Sequence, residues 1–209
     1  MSDGGWDTQP GETPIDVSGL RVKGIGTRAE LNRAEAENVR KAIVRYLAAK
    51  PSHRSAPFTL TWVKRLHKQM FGDVWSWAGE FRRENLNLGC DWHQIPLQLQ
   101  TLLDDLVFWE GQGDDLAEQA ARLHHRAVGV HPFPNGNGRW ARMLANVWLK
   151  RHDHPVTAWP EETLGARSVI RDEYLAAIRA ADEGDEGPLI EIHRRFTPVP
   201  YTRKRPPEP

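Results

Sequence analysis

Apolar residues recur every three or four positions through most of this 209-residue chain, and that period constrains its fold more than any other feature. The capping-box spacing of Thr27 and Glu30 predicts the start of the first helix. The apolar face of that helix is predicted to contain Val39, Ile43 and Leu47. The same period predicts further helices over about 58–71, after Pro96, from Asp114 or Asp115 to His131, from about Gly138 to His152, over 161–182 and over 188–196. The predicted fold class is all-α.

Between Trp75 and Pro96 the helical period is lost, and "FRRENLNLGCDWHQIP" alternates only weakly between apolar and polar residues. This stretch predicts one short β-hairpin. Residues 1–26 and the Pro-rich basic tail 197–209 have no periodicity and are expected to be extended. One helical domain is therefore predicted over residues 27–196.

Charge and cysteine content narrow the possible partners and the compartment. Lys and Arg number 28, as do Asp and Glu, so the formal net charge is zero. A neutral chain argues against nucleic acid or anionic lipid as the main partner. No apolar run approaches the roughly 20 residues that cross a bilayer. The single Cys90 excludes an internal disulfide, and the cytoplasm is the predicted location.

The segment "HPFPNGNGRWAR", residues 131–142, lies between two predicted helices and carries the chemistry. Glycines let a backbone approach a ligand closely, and the free amides at a helix N-terminus attract anions. Arg139 and Arg142 are one helical turn apart, so both guanidinium groups can reach one polyanion. His131 beside them can accept a proton from an attacking hydroxyl. This combination predicts phosphate-group transfer.

Each of these residues alone has a simpler explanation. "NGNG" is also an ordinary turn between helices, and Arg142 taken alone fits an exposed helical face. His67, on the apolar side of its helix, is expected to be a hydrogen-bonded structural histidine. "HH" at 124–125 and "HDH" at 152–154 lack the partners that would complete a zinc site.

The segment resembles the signature of the Fic (filamentation induced by cAMP, or Fido) family. That signature reads His-Pro-Phe, any residue, Asp or Glu, Gly-Asn-Gly-Arg, two residues, Arg. Upstream, "LHKQMFGDVWSWAGEFR" is similar to the helix and turn before the family's flap, and residues 58–155 fit the family core. In length and in its "HPFPNGNGR" loop the chain is most similar to the mobile mystery protein B type. The matching positions are His131, Pro132, Phe133, Gly136, Asn137, Gly138, Arg139 and Arg142.

The resemblance implies a helical enzyme that moves AMP from ATP onto a Ser, Thr or Tyr hydroxyl of a target protein. His131 would be the general base. Gly136, Asn137 and Gly138 would form the anion hole. The resemblance further implies that Arg139 and Arg142 would bind the phosphates, that Phe133 would hold the loop in the core, and that a flap over 84–95 would bind the target.

One position departs from the signature, because Asn135 stands where the family places Asp or Glu to hold Mg²⁺. A neutral amide oxygen is a weaker ligand for a hard cation than a carboxylate. Three outcomes stay open: Mg²⁺ held mainly by the phosphates with help from Asn135, a different phosphate-containing donor, or a binding module without efficient turnover.

The family is often restrained by a helix with Ser or Thr, three residues, Glu, then Gly or Asn. "RAEAEN" offers Glu37 and Asn38 but has Arg33 at the Ser or Thr position. If Glu37 reached Arg142 it would block the terminal-phosphate position, and Glu37→Gly would then raise labelling by ATP. A solvated helical residue is the simpler expectation for Glu37.

Overall fold

The computed structural model describes residues 16–113, 115–165 and 167–198, and they confirm the all-α fold. Within these ranges no strand forms, and the only β-pairing is an isolated antiparallel bridge between Leu20 and Trp75. The helices are α1 (Arg28–Leu47), α2 (Leu60–Phe71), α3 (Ile95–Gln112), α4 (Leu116–Val130), α5 (Asn137–Arg151), α6 (Glu161–Leu164), α7 (Val169–Asp182) and α8 (Gly187–Arg195).

Side-chain caps fix four of the eight helix starts, those of α1, α2, α4 and α7. Thr27 and Glu30 form the predicted capping box of α1. The Thr27 hydroxyl accepts from the Glu30 amide, and the Glu30 carboxylate accepts from the Thr27 amide. The Asp115 carboxylate accepts from the amides of Ala117 and Glu118 at the start of α4. The first turn of α5, in contrast, has no side-chain cap among the described residues.

The predicted apolar face of α1 is confirmed only in part, because Val39 and Leu47 pack against the core and Ile43 does not. Ile43 is 42% exposed, whereas the buried positions of the helix are Leu31, Glu35, Asn38, Ala42 and Tyr46. This face is selected because its two polar members find buried partners. Asn38, for example, donates to the Gln69 carbonyl and accepts from the Asp73 amide, both within 3.1 Å.

The core is built around α5, which packs against α1, α2 and α4. Trp140, Leu144 and Trp148 on α5 are each no more than 1% exposed, and α2 contributes the predicted stripe that includes Leu66 and Met70. A second apolar cluster joins α7 and α8 to the outer side of α4. The turn before α5 is thus supported by the best-packed part of the molecule.

The predicted hairpin between Trp75 and Pro96 does not form. Residues 81–91 are irregular and lead into a short 3₁₀ turn over Trp92–Gln94. The reason is that the Glu84 and Cys90 carbonyls accept from the Arg82 guanidinium, and the Cys90 amide donates to Val130. Backbone groups that a hairpin would pair across its strands are used elsewhere.

Most of the predicted extended ends, residues 1–15 and 199–209, lie outside the described residues. Residues 16–26 contain a 3₁₀ turn at Val17–Gly19 capped by Asp16. Of the helices that the structure describes, none combines the length and the hydropathy needed to span a membrane.

Candidate functional site

His131 ends α4 in an unusual backbone conformation. Its φ of 50° lies in the left-handed region, where a residue other than glycine is rare and strained. Its amide still donates to the Ala127 carbonyl, so the residue closes the helix while the chain reverses into the turn before α5. The imidazole is mostly buried, with 8% of the residue exposed.

The Arg82 side chain holds the backbone at His131 in place. Its Nε donates to the His131 carbonyl at 2.7 Å, and its Nη1 and Nη2 donate to the carbonyls of Glu84 and Cys90. The Arg82 side chain is buried, and its hydrogen bonds are to backbone carbonyls. It therefore joins the end of α4 to the flap segment, which we define as residues 84–95.

The environment of His131 keeps its imidazole neutral. Burial, and then the positive charge of Arg82, lower the pKa of His131 to about 4, while a hydrogen bond with the Val128 backbone acts in the opposite direction. Bonding to a carbonyl oxygen makes one ring nitrogen an N–H donor, so the other nitrogen carries the lone pair. His131 is thus unprotonated at neutral pH, as a general base must be.

The motif turn, residues 131–138, is held by the Asn137 side chain. Asn137 Oδ1 accepts from the Phe133 amide at 2.9 Å, and Nδ2 donates to the Phe133 carbonyl at 2.8 Å. Phe133 is fully buried and stacks on His67, with ring centroids 3.7 Å apart. The Asn137 side chain closes the turn, so only the backbone amide of Asn137 is left to take part in the predicted anion hole.

His67 supports the same turn, as expected for a structural histidine. The Gly79 amide donates to Nδ1 at 3.0 Å, so Nε2 carries the proton and donates to the Asn135 carbonyl at 3.0 Å. Burial lowers the pKa of His67 to about 3, which keeps this tautomer neutral. At Gly136, φ is 77°, and a Cβ there would lie 2.8 Å from the Phe71 ring, so glycine is required.

The Asn135 side chain offers one oxygen to a metal ion, and this oxygen already accepts a hydrogen bond. Its Oδ1 accepts from the Gly136 amide at 2.6 Å, which also removes that amide from the predicted anion hole. The described residues contain no group of three or more His, Cys, Asp or Glu side chains that could hold a metal ion. The described residues therefore offer no Mg²⁺ site built from protein ligands alone, and the weak contact predicted between Asn135 and a phosphate-bound Mg²⁺ stays a prediction.

The start of α5 is where an anion can bind. The backbone amides of Asn137, Gly138 and Arg139 occupy the first turn of a 15-residue helix with no side-chain cap. Such amides point along the helix axis and carry partial positive charge. A Cβ placed on Gly138 would lie 3.4 Å from Arg142 Nη1, so one arm of this guanidinium faces the first turn. The amides and Arg142 are together, as the motif predicts.

Arg139 lies on the outer side of this turn. Its guanidinium carbon is 4.8 Å from the centre of the Phe71 ring, and its Nη1 is 2.7 Å from Glu35 Oε2. The Arg139 side chain is 30% exposed, whereas the Glu35 side chain is only 5% exposed. Glu35 also accepts from the Trp75 indole at 2.6 Å. A phosphate reaching Arg139 must compete with, or join, this buried carboxylate.

Arg142 is more deeply buried and is also paired. Its Nε donates to Glu161 Oε1 at 2.8 Å and its Nη2 to Glu161 Oε2. Burial opposes the charge, but the Glu161 carboxylate more than offsets this, so the pKa of Arg142 is raised. The guanidinium lies 5.8 Å from the Trp159 ring and 5.7 Å from the Tyr174 ring. It is a fixed cation rather than a mobile surface side chain.

Glu37 does not reach Arg142. Its carboxylate pairs with Arg40 on the same helix at 2.9 Å, and both side chains are more than half exposed. The solvated alternative was the better interpretation, and the predicted effect of Glu37→Gly loses its basis. The contact between α1 and the motif is made two residues earlier, by Glu35, and to the other arginine.

A small cavity of about 180 Å³ adjoins the motif turn. It is lined by Arg82, Arg83, Glu84, Leu86 and Pro134. The flap segment therefore borders an open space next to the residue that follows Phe133, where a target segment could lie.

Sequence reasoning missed Arg82, Glu35 and Glu161. Arg82 and Glu161 act through contacts 49 and 19 residues away along the chain, and no local pattern marks them. Glu35 had a signal, because it lies four residues after the buried Leu31 on the face of α1 that enters the core.

Comparison with known proteins identifies the family of the region that contains this turn. Residues 57–149 match the model of the Fic/DOC family. A protein adenylyltransferase fic-1 from Caenorhabditis briggsae is 32% identical over 133 residues, which cover 61% of this chain and 25% of the relative. A protein adenylyltransferase Fic from Drosophila mojavensis is 31% identical over 137 residues, covering 63% and 26%. The chain thus spans about a quarter of the length of these relatives.

Solved structures agree with the fold. A fragment of Fic-1 from C. elegans superposes with a TM-score of 0.68 at 25% identity, over 85% of this chain and 51% of that one. The BepC protein from Bartonella tribocorum, solved with bound AMPPNP, gives 0.64 at 20% identity, over 86% and 92%. Residues 57–149 of this chain therefore belong to the Fic/DOC family, and the motif turn lies in the C-terminal third of that region.

Proposed function

We propose that this protein is a Fic-type nucleotidyltransferase that moves AMP from ATP to a Ser, Thr or Tyr hydroxyl of a target protein. One observation carries the proposal: Arg142 Nη1 faces the uncapped first turn of α5, the helix that follows the neutral His131. The names of the relatives, which are protein adenylyltransferases, support the same activity.

In the proposed reaction His131 takes the proton of the target hydroxyl through its lone-pair nitrogen. The hydroxyl oxygen then forms a bond to the α-phosphorus of ATP, and the bond from that phosphorus to the bridging oxygen breaks. Pyrophosphate leaves, and AMP stays on the target. The amides of Asn137, Gly138 and Arg139 would stabilise the negative charge of the phosphates, and Arg142 would contact the terminal one.

No step of this mechanism is assigned to a metal ion, because Asn135 Oδ1 is already bonded to the Gly136 amide. Where Mg²⁺ accompanies ATP, its ligands would be the phosphates themselves. We further propose that the target binds along the flap segment, next to the cavity that Leu86 and Pro134 line. The cytoplasmic location and the mobile mystery protein B type stay predictions.

The test is transfer from ATP labelled at the α-phosphate to the protein itself or to lysate proteins. His131→Ala should lower labelling about 10²–10⁴-fold, the loss expected for a general base. His53→Ala is the matched control, because this exposed histidine lies in the loop between α1 and α2. Equal loss in both variants, or full labelling by His131→Ala, would exclude His131 as the base.

A second candidate function is a nucleotide-binding regulatory module without efficient transfer. The observation that favours it is that each motif arginine already pairs with a carboxylate, Arg139 with Glu35 and Arg142 with Glu161. ATP binding without any labelled product would support the module. Asn135→Glu separates the two cases further, because restored labelling would identify metal handling as the missing step.

A further inference from the structure

A second cavity, of about 330 Å³, is formed where α1 ends and α2 begins. We name it the arginine pocket, because three of the five residues that line it are arginines: Arg45, Tyr46, Arg54, Ser55 and Arg65. Arg45 lies in the last turn of α1, Arg65 lies in α2, and Arg54 lies in the loop between these helices. Three different elements thus bring their positive charges to one cavity.

The arginine pocket is separate from the motif turn. Glu35, which meets Arg139 at the motif, and Arg45 are ten residues apart on α1. At 1.5 Å per residue, about 15 Å of helix lies between them. A ligand of the pocket would therefore be a second one, distinct from the nucleotide of the proposed reaction.

The pocket arginines have no carboxylate partner. Among the residues that the structure describes, no carboxylate oxygen lies within 4.0 Å of the guanidinium nitrogens of Arg45, Arg54 or Arg65. Lysines near them in the sequence, in contrast, are paired: Lys41 with Asp73, Lys50 with Asp153 and Lys64 with Glu80. Unpaired positive charge is therefore concentrated around the cavity, although the chain as a whole is neutral.

The turn that carries Arg54 is fixed by its own hydrogen bonds. The amides of Ser55 and Ala56 both donate to the Ser52 carbonyl, at 3.1 and 2.9 Å. Ser55 Oγ also donates to this carbonyl, at 3.0 Å. The other two arginines lie on helices, so the backbone on all sides of the pocket is in place before a ligand arrives. Such preorganisation lowers the free-energy cost of binding.

The charge of the pocket selects a multiply charged anion. A carboxylate brings one negative charge and a phosphate monoester at most two, whereas the pocket offers three guanidinium groups. A guanidinium fork binds phosphate oxygens through two parallel hydrogen bonds. A di- or triphosphate presents such oxygens on adjacent phosphorus atoms, so it can engage all three arginines at once.

The surroundings of the pocket favour a compact ligand over a nucleic acid. A nucleic-acid backbone binds along a continuous basic track. Here the charges of Lys41, Lys50 and Lys64 are already met by carboxylates, so the unpaired arginines border one cavity. Tyr46 adds a buried wall, because it is 3% exposed and its hydroxyl donates to Gln69 Oε1 at 2.6 Å.

We propose that the arginine pocket is a binding site for a free di- or triphosphate compound, held by Arg45, Arg54 and Arg65. No residue of the motif turn takes part in this site. The proposal therefore goes beyond the transfer reaction and does not depend on it.

The test is a titration of the full chain with inorganic pyrophosphate, followed by NMR through the Nε–H signal of Arg54. This signal reports on the pocket alone, so pyrophosphate bound at the motif turn does not contribute. In the double variant Arg45→Gln and Arg65→Gln, Arg54 remains as the reporter. We expect the dissociation constant to rise by about tenfold or more, because two charge-assisted partners of the phosphates are lost.

The matched control is the double variant Arg33→Gln and Arg179→Gln. Both residues are exposed, on α1 and α7, and neither lines the pocket. The control loses the same net charge, but charges farther away than about 10 Å are screened by salt, so the dissociation constant should stay nearly unchanged. An equal rise in both double variants, or an Arg54 signal that pyrophosphate does not move, would overturn the site.

A single-stranded DNA oligonucleotide tests the nucleic-acid alternative in the same titration. If the oligonucleotide moves the Arg54 signal at a lower concentration than pyrophosphate does, the compact ligand is excluded. Weaker binding of the oligonucleotide is the expected result. Because these variants leave the motif turn intact, a failure of AMP transfer would not affect this test.

Discussion

The motif turn and the flap segment border the same cavity, yet they are held in opposite ways. The turn is closed by two bonds from Asn137, supported by His67 and packed on buried Phe71. The flap segment has mostly exposed residues and short-range bonds, such as that from the Trp92 amide to Asn85 Oδ1 at 3.0 Å. Two contacts tie it to α4: Arg82 at its base, and the Cys90 amide, which donates to the Val130 carbonyl at 3.4 Å.

This difference separates two tasks of a transfer enzyme. Stabilising phosphate charge requires groups that are already in place before the substrate arrives. Receiving a protein segment benefits from backbone groups that are free to adjust. The fold therefore fixes the side proposed for the nucleotide and leaves adjustable the side proposed for the target.

The largest expected effect comes from removing a bond network of the turn. Asn137→Ala leaves the amide and the carbonyl of buried Phe133 unpaired. At about 1–3 kcal/mol for each unpaired group, the free energy of unfolding should fall by roughly 2–5 kcal/mol. Urea unfolding measures this.

Asn85→Ala provides the comparison on the flap segment, because Asn85 also makes two side-chain bonds, to Trp92 and Asp91. These groups are exposed and water can replace the lost partner, so the loss should stay below about 1 kcal/mol. Similar losses at Asn137 and Asn85 would contradict the distinction between the two regions.

The next effect concerns the pH range of the reaction. Because the pKa of His131 is lowered to about 4, kcat/KM should stay level as the pH falls from 7 to 5. Arg82→Gln removes the cation that disfavours the imidazolium, so the pKa rises and the rate should already decline within that range.

Arg83→Gln is the control for this profile, since Arg83 is the exposed neighbour of Arg82. Arg83→Gln should leave kcat/KM level between pH 7 and pH 5. Stability sets a lower limit to the experiment, because His131 and His67 bind fewer protons when folded than the ordinary pKa of about 6.5 allows. The free energy of unfolding should therefore fall as the pH decreases below about 6.5. An unchanged acid limb in Arg82→Gln would exclude the proposed electrostatic role.

The smallest effect concerns Arg139, the partly exposed arginine in the first turn of α5. Glu35→Gln removes the negative charge beside Arg139 but keeps an oxygen for the Trp75 indole. Arg139 can then pair with a phosphate without competition from a carboxylate. ATP affinity should rise by less than about tenfold, as expected for one partly exposed ion pair. Glu37→Gln changes an exposed carboxylate on the same helix and should have no effect. Equal affinities in the two variants would show that α1 does not mask the site.

Local sequence patterns predicted the helices well because their causes are local. The capping box at Thr27 and the cap at Asp115 need only three or four neighbouring residues. The motif spacing likewise predicted that Arg142 would face the first turn of α5, since helical geometry alone brings position 142 back toward position 138.

Long-range pairing was not predictable in the same way. The partners of Arg82 and Arg142 follow from how α4, α6 and the flap segment pack, which no spacing encodes. The face of α1 illustrates the limit, because its spacing predicts a buried stripe of Val39, Ile43 and Leu47, whereas Ile43 is exposed and Glu35 and Asn38 enter the core. A buried carboxylate is acceptable only where a cation meets it, and that cation, Arg139, lies 104 residues away.

The Glu35 carboxylate bonds to one charged and one neutral side chain. Its one oxygen meets Arg139 and its other oxygen meets the indole of Trp75, which lies on Trp77 with ring centroids 4.9 Å apart. Indole fluorescence depends on the charge beside the ring. We therefore expect an anion that draws Arg139 away from Glu35 to change the fluorescence of Trp75 and Trp77. The protein thus carries its own optical reporter of occupancy, and binding can be followed without an attached dye.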